Sequence, residues 1–205
     1  MARLNREEMR QQTRLALRTS AAAHFAKYGF EGAAVDQISE DAGYSRGAFY
    51  SNFADKEAIF LELLVEHLER DITRFQRASD ESATLEELVN RLAAAYRDLG
   101  ENPDWCLLSA EFQLHATRSG VSGSLFSDAY SDYRNQVSAL LETAFARFDF
   151  QSELDARELT SALIGLSHGL ALERAATGAS LPMEVTGKAI RALIFGAAVK
   201  SSVDP

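Results

Sequence analysis

Cysteine is nearly missing from this chain. Cys106 stands alone among 205 residues, which rules out an intramolecular disulfide framework and points to a reducing compartment. The N-terminal stretch "MARLNREEMRQQTRLALR" has no apolar signal core. The longest apolar run near the other end, "ALIFGAAV", falls well short of the roughly 20 residues a membrane-spanning helix needs. A soluble, cytoplasmic protein with no membrane partner is expected. The four histidines, at 24, 67, 115 and 168, form no local ligand pair, and there is no cysteine cluster, so no metal is expected. Nucleophile elbow, phosphate loop and nucleotide fingerprint are all lacking, which speaks against catalysis and against a bound cofactor. No segment shows the period of a β-strand, and there is no internal repeat or low-complexity run. Cys106 reads as a small core hydrophobe, and a redox role stays open without a resolving partner.

What is present is charge, unevenly spread. The formal net charge is −9. Residues 1–56 hold eight basic and seven acidic side chains, a net of +1, and the remainder holds 13 basic and 23 acidic, a net of −10. A protein this acidic is a poor general binder of nucleic acid. Any such contact belongs to the first quarter of the chain.

The apolar residues recur at helical spacing nearly throughout. Leu17, Ala21, Phe25 and Tyr28 form one stripe, and Gly29 is expected to end that helix. Val35, Ile38 and Ala42 mark a short second helix that stops at Gly43. Ser45 is a suitable N-cap for a third, very short helix, and Asp55 for a long fourth, striped by Ile59, Leu63, Leu64, Leu68, Ile72 and Phe75. Further helices follow, separated by "RASDESATL", by "GENPD" with its Pro103, by "SGVSGS" and by "TGASLP", with Asp155 capping the penultimate one. The spacing predicts an all-α protein of about nine helices.

Two short helices joined at a glycine make a helix-turn-helix unit, whose second helix places its first residues in the DNA major groove. That explains why the restart at Ser45 is so brief. Arg46 can pair with guanine, or else with phosphate. Gly47 lets the backbone approach closely, and Tyr50 can reach a phosphate. Phe49 and Phe53 are spaced to lock the helix down from inside. Lys56, beside the first amides of the fourth helix, adds a charged phosphate contact.

The segment "FAKYGFEGAAVDQISEDAGYSRGAFYSNFADKEAIF" resembles the DNA-binding domain of the TetR family of transcriptional regulators. The likeness lies in the aromatic-Ala-x-x-Gly-aromatic end of the first helix, the V-x-x-I entry to A-G, the S-x-G-x-aromatic-Tyr-x-x-Phe run, and the closing K-E. It covers about residues 10–60. The resemblance implies an N-terminal three-helix DNA-binding domain over residues 1–56. Residues 57–205 would form a larger helical effector-binding and dimerisation domain. It assigns Ser45, Arg46, Gly47, Ser51 and Asn52 to the recognition helix or its edge, and it turns Gln37, Tyr50 and Lys56 toward the DNA groove or backbone. One departure is Ala33–Ala34 where the family usually has Ser or Thr. Losing such a cap costs about 1 kcal/mol, and Gln37 can supply half a capping box in its place.

Three further expectations concern the rest of the chain. "LTSALIGLSHGLAL" and "VTGKAIRALIFGAAV" are apolar on more than one face, so a homodimer through about 155–176 and 183–200 is expected, bound to an inverted-repeat operator in double-stranded DNA. Within the first of these, Gly165 and Gly169 are read as a close-packing pair. The middle helices carry aromatics with polar tips: Trp105, Phe112, His115, Phe126, Tyr130 and Tyr133, followed by His168. These are candidates to line a pocket for a small, largely apolar effector that releases a repressor from DNA. The alternative is a helical enzyme or carrier whose N-terminal bundle is only structural. His24 and His67 are read as packing or interfacial residues.

Overall fold

A computed structural model describes residues 5–98, 105–119, 123–178, 181–182 and 184–200. Nine helices occur among them: α1 (Arg6–Gly32), α2 (Val35–Asp41), α3 (Arg46–Tyr50), α4 (Lys56–Asp80), α5 (Leu85–Asp98), α6 (Trp105–Ser119), α7 (Gly123–Arg147), α8 (Ala156–Thr177) and α9 (Glu184–Ala197). The all-α reading holds. Two three-residue strands, β1 (Phe150–Ser152) and β2 (Ala198–Lys200), correct the expectation of none. They pair antiparallel with Gln151 opposite Val199. Three residues are too few to display a period-two pattern, so the pair is set by chain proximity and not by local sequence. The expected break at Pro103 lies outside the described residues, as does part of "SGVSGS".

The chain divides into two compact units. The first comprises residues 1–67 with 108–126, and the second comprises 68–107 with 127–205. These limits differ from a simple cut after residue 56. The first unit also takes the start of α4 and the latter part of α6, because their aromatics complete its core.

In that first unit, α1 opens with an unforeseen capping box: Asn5 Oδ1 accepts from Glu8 N at 2.8 Å and Glu8 returns a bond to Asn5 N at 2.7 Å. The regular run of this helix ends at Gly29, as the sequence led us to expect. It breaks there, at φ 72° and ψ 177°, and resumes to Gly32. The left-handed φ there favours glycine; a Cβ would also stand 2.8 Å from Glu111 Oε2, the end of a side chain that can turn aside. Phe25, Phe30, Phe60 and Phe112 interlock without exposure. Phe30 meets Phe60 and Phe112 edge-on, with centroids 5.1 and 5.0 Å apart. Across the outer side of this unit Arg14 pairs with Glu62 at 2.5 Å, and Arg18 pairs with both Glu62 and Glu66. His24 is buried and Nε2 bonds Asp41 at 2.7 Å.

The second unit is built on a separate cluster that includes Phe75, Leu88, Val89, Leu141, Phe145, Leu159, Ile190 and Ile194. Here α9 packs on α5 and α8. Asp155 caps α8 as expected, accepting from Arg157 N and Glu158 N at 2.8 Å and receiving Glu158 in return. Arg191 ties α9 to α5 through Asn90 at 2.6 Å and Glu86 at 3.0 Å. Arg147 donates to the carbonyls of Ser79, in the last turn of α4, and Ser82, just beyond it. Gly165 and Gly169 are both exposed, and among the described residues a Cβ on either meets nothing within 4 Å.

Candidate functional site

The turn between α2 and α3 is specified by hydrogen bonds that its sequence makes possible. Gly43 sits at φ 78°, a conformation glycine adopts without penalty. Gly43 N donates to Glu40 O and Tyr44 N donates to Ser39 O, each at 2.9 Å. This is a Schellman closure that satisfies the last carbonyls of α2 and reverses the chain. Ser45 then caps α3, its Oγ accepting from Ala48 N at 3.2 Å. Helix α2 starts at Ala34 without any side-chain cap bond, consistent with the alanines placed there.

Phe49 and Phe53 hold α3 to the unit. They are 0% and 4% exposed, with ring centroids 5.7 Å apart. The opposite face carries Ser45, Arg46, Gly47, Tyr50 and Ser51, all exposed, with Gln37 of α2 exposed nearby in the same motif. A Cβ at Gly47 would touch only Ser45 Oγ, at 3.7 Å, so nothing inside the chain demands glycine there. Arg46 Nη1 lies 3.1 Å from both oxygens of Asp36, and its guanidinium sits 5.5 Å from the Tyr50 ring. Asp36 first, and Tyr50 after it, push the Arg46 guanidinium above its ordinary value.

Three other expected contacts are partly engaged within the fold. Ser51 Oγ donates to Gly47 O, and Asn52 Nδ2 donates to Ala48 O, both at 2.8 Å, so these side chains fold back on α3. Arg14 Nη1 donates to Asn52 O at 2.5 Å and fixes the end of that helix. Lys56 Nζ donates to Glu31 O at 3.3 Å and lies 4.6 Å from the Phe30 ring. Its ammonium therefore helps hold α4 to α1.

The residues named for an effector are shared between the two units. Phe112, His115 and Phe126 fall in the first unit. Phe112 and Phe126 are core residues there, and His115 bridges Glu31 (2.6 Å) and Glu57 (3.1 Å) beside Phe30. Trp105, Tyr130, Tyr133 and His168 belong to the second unit. Tyr130 Oη lies 3.1 Å from His168 Nε2, and burial holds that imidazole below its ordinary value.

Only Tyr133 of the seven borders the cavity of the second unit, which measures about 80 Å³. Its walls are largely apolar, with Phe75 of α4, Val137 of α7, Ile164 of α8 and Ile194 of α9 among them. Polar groups are few: Asp71 and Arg74 of α4, Thr160 of α8 and Tyr133 itself. Burial raises the Asp71 carboxyl while Arg74, 3.1 Å away, pulls it back. Asp36, Asp71 and Arg74 were not among the expected residues. Asp71 had a legible signal: it stands three after Leu68 and four before Phe75, beside the apolar stripe of α4. Among the described residues no group of three side chains is arranged to hold a metal, and no helix is long and apolar enough to cross a membrane.

A capped recognition helix, clamped by two phenylalanines and turned outward with its polar face, defines a helix-turn-helix DNA-binding regulator. Residues 17–63 match the family described as bacterial regulatory proteins, tetR family. The repressor AcnR of Corynebacterium glutamicum is 29% identical over 161 residues, 76% of this chain and 78% of its own length. The HTH-type transcriptional regulator YdgC of Bacillus subtilis is 27% identical over 195 residues, 90% of this chain and 92% of its own. Among solved structures, the regulator FadR of Bacillus subtilis in complex with stearoyl-CoA superposes with a TM-score of 0.69 at 19% identity, over 89% of this chain and 98% of that one. The match to the TetR family covers residues 17–63, the helix-turn-helix part of the chain. Both of these curated relatives, AcnR and YdgC, are named as transcriptional regulators or repressors.

Proposed function

We propose that the protein is a dimeric repressor that leaves an inverted-repeat operator when a small molecule enters its second unit. The observation that carries the DNA side is the two-faced α3. Phe49 and Phe53 are buried, while Ser45, Arg46, Gly47 and Tyr50 face outward with no structural task that fixes all four. Arg46 and Gly47 tune base recognition, Tyr50 and Lys56 supply phosphate contacts, and Gln37, Ser51 and Asn52 flank the groove. A gel shift with the DNA flanking the chain's own gene tests this. A specific complex weakened by Arg46→Ala is expected, and binding no tighter than to random DNA overturns it.

The dimer is supported by the open faces of α8 and α9. Among the described residues a Cβ on Gly165, Gly169 or Gly196 meets nothing within 4 Å, and Leu172 of α8 is 51% exposed. Such a surface suits close approach of a second copy by a two-fold axis. Doubling the short α3 also gives the contact area that tight, specific DNA binding needs.

For the effector, the cavity fits better than the scattered aromatics. An apolar cavity of about 150 Å³ takes up benzene, and this one is about half as large. An organic ligand must therefore widen it by parting α4, α7, α8 and α9. That gives the ligand a preference for the widened state, which is what a switch requires. Asp71 and Arg74 on α4 supply the polar end, and Asp71 favours a ligand that brings an amine or another hydrogen-bond donor. Lys56 opens the same helix, so displacement of α4 bears on the DNA contacts.

A further inference from the structure

Asp36 has no role in any of the contacts assigned above, yet it is the partner of Arg46. The two belong to different helices, ten positions apart, on either side of the Schellman turn. Both are strongly exposed, 64% and 61% respectively. An ion pair this exposed contributes about 0–1 kcal/mol to stability. The buried partners of the motif, Ile38, Ser39 and Phe49, already hold α2 and α3 together. Fold stability is therefore a weak reason for the pair. Its geometry is more telling. Both carboxylate oxygens of Asp36 address the same nitrogen, Nη1, at 3.1 Å, while the Tyr50 ring stands 5.5 Å from the guanidinium carbon. The guanidinium is thus restrained from α2 and from α3 at once.

We propose that Asp36 is a specificity-determining residue that positions Arg46 for a base edge and removes its appetite for random phosphate. This rests on Arg46 being a DNA-reading side chain. Two physical effects act in the same direction. A guanidinium already restrained loses less side-chain entropy when it makes directed bonds to guanine. Its positive charge, meanwhile, is largely cancelled by the carboxylate. Phosphate binding at arbitrary sequences depends on that charge, whereas planar donation to guanine O6 and N7 depends on direction. A carboxylate at this place therefore lowers binding everywhere and lowers it least where guanine is correctly placed.

The test is selection of binding sites from randomised duplex DNA by the full chain. Wild type, Asp36→Asn, Arg46→Ala and the double variant are run in parallel, with salt titrations on the wild-type consensus and on random DNA. Asp36→Asn should bind random DNA more tightly, with the salt slope steeper by about one unit. Its preference at the guanine position should fall by roughly ten-fold, within the range a bidentate contact provides. The double variant should match Arg46→Ala, because Asp36 acts through Arg46. Asp36→Glu should restore part of the preference, and all variants should melt near the wild type, separating positioning from folding. If wild type enriches no sequence, the DNA-binding reading itself fails. Where Arg46→Ala removes a guanine preference that Asp36→Asn keeps at the wild-type level, only the role of Asp36 is overturned. Loss of preference at a different position in Asp36→Asn also overturns it, as does an Arg46→Ala variant with an unchanged consensus.

Discussion

Gly187 of α9 lies so close to Ala93 of α5 that a Cβ on the glycine would stand 2.9 Å from the Ala93 carbonyl oxygen and 3.2 Å from the Ala93 methyl. The obstruction is backbone, which cannot turn aside as a flexible side chain would. Gly187→Ala should therefore lower the stability of the second unit by about 1–3 kcal/mol, the usual cost of overpacking. Helix propensity alone predicts the opposite sign. A thermal melt decides between them, and an unchanged or raised midpoint would contradict the close approach.

Open glycines predict the reverse. Gly169→Arg puts a side chain where the chain has empty space, so the folded protomer should not be weakened. A second copy packed there would be displaced. Light scattering should show wild type at twice the mass of the variant. A monomeric wild type at micromolar concentration refutes the proposed interface.

Tyr50 and Lys56 should behave as phosphate contacts. Lys56→Ala should weaken binding to operator and random DNA alike and flatten the salt dependence by about one unit of slope. Tyr50→Phe should weaken binding more modestly with the slope retained. Anisotropy titrations at several salt concentrations check both. Because Lys56 also donates to Glu31 O, its melt should be recorded alongside.

Asp71→Asn separates binding from stability. Burial disfavours the charged carboxyl, so neutralising it should leave the melting temperature unchanged or raise it, even though the Arg74 pair is weakened. Thermal shift with a panel of compact apolar amines should show stabilisation of wild type that the variant loses. Equal shifts in both proteins would remove Asp71 from recognition.

His168 predicts a pH effect of definite sign. Burial holds its folded value below the ordinary 6.5. The unfolded chain therefore takes up this proton first as pH falls. Stability contributed by the neutral imidazole is complete above 6.5, is lost as pH drops through that value, and levels off below the folded one. His168→Gln should make melts above and below 6.5 differ less than in wild type.

The DNA-binding motif was legible because its signals are local. Gly43 for the left-handed turn, Ser45 and Asp55 for caps, and the Phe49–Phe53 spacing each declare themselves within a few residues; Asp55 indeed accepts from Ala58 N at 2.7 Å. The cavity proposed for an effector was not, because it is lined by residues far apart in the chain. Aromatic content drew attention to Phe112 and Phe126, which instead complete the core around Phe30 and Phe60. The aliphatic walls at Val137, Ile164 and Ile194 carry no sequence mark that distinguishes a cavity lining from ordinary packing. The Asp36–Arg46 pair was hidden for a similar reason: its ten-residue spacing has meaning only after the turn has folded.

Arg14 and Arg18 are turned to Glu62 and Glu66, and this bears on how the protein finds its target among a genome of decoys. A region with a nominal charge of only +1 keeps two of its cations occupied internally. Sliding along arbitrary DNA needs many simultaneous phosphate contacts, and their number sets how long each encounter lasts. With few cations to spare, encounters at wrong sequences should be short.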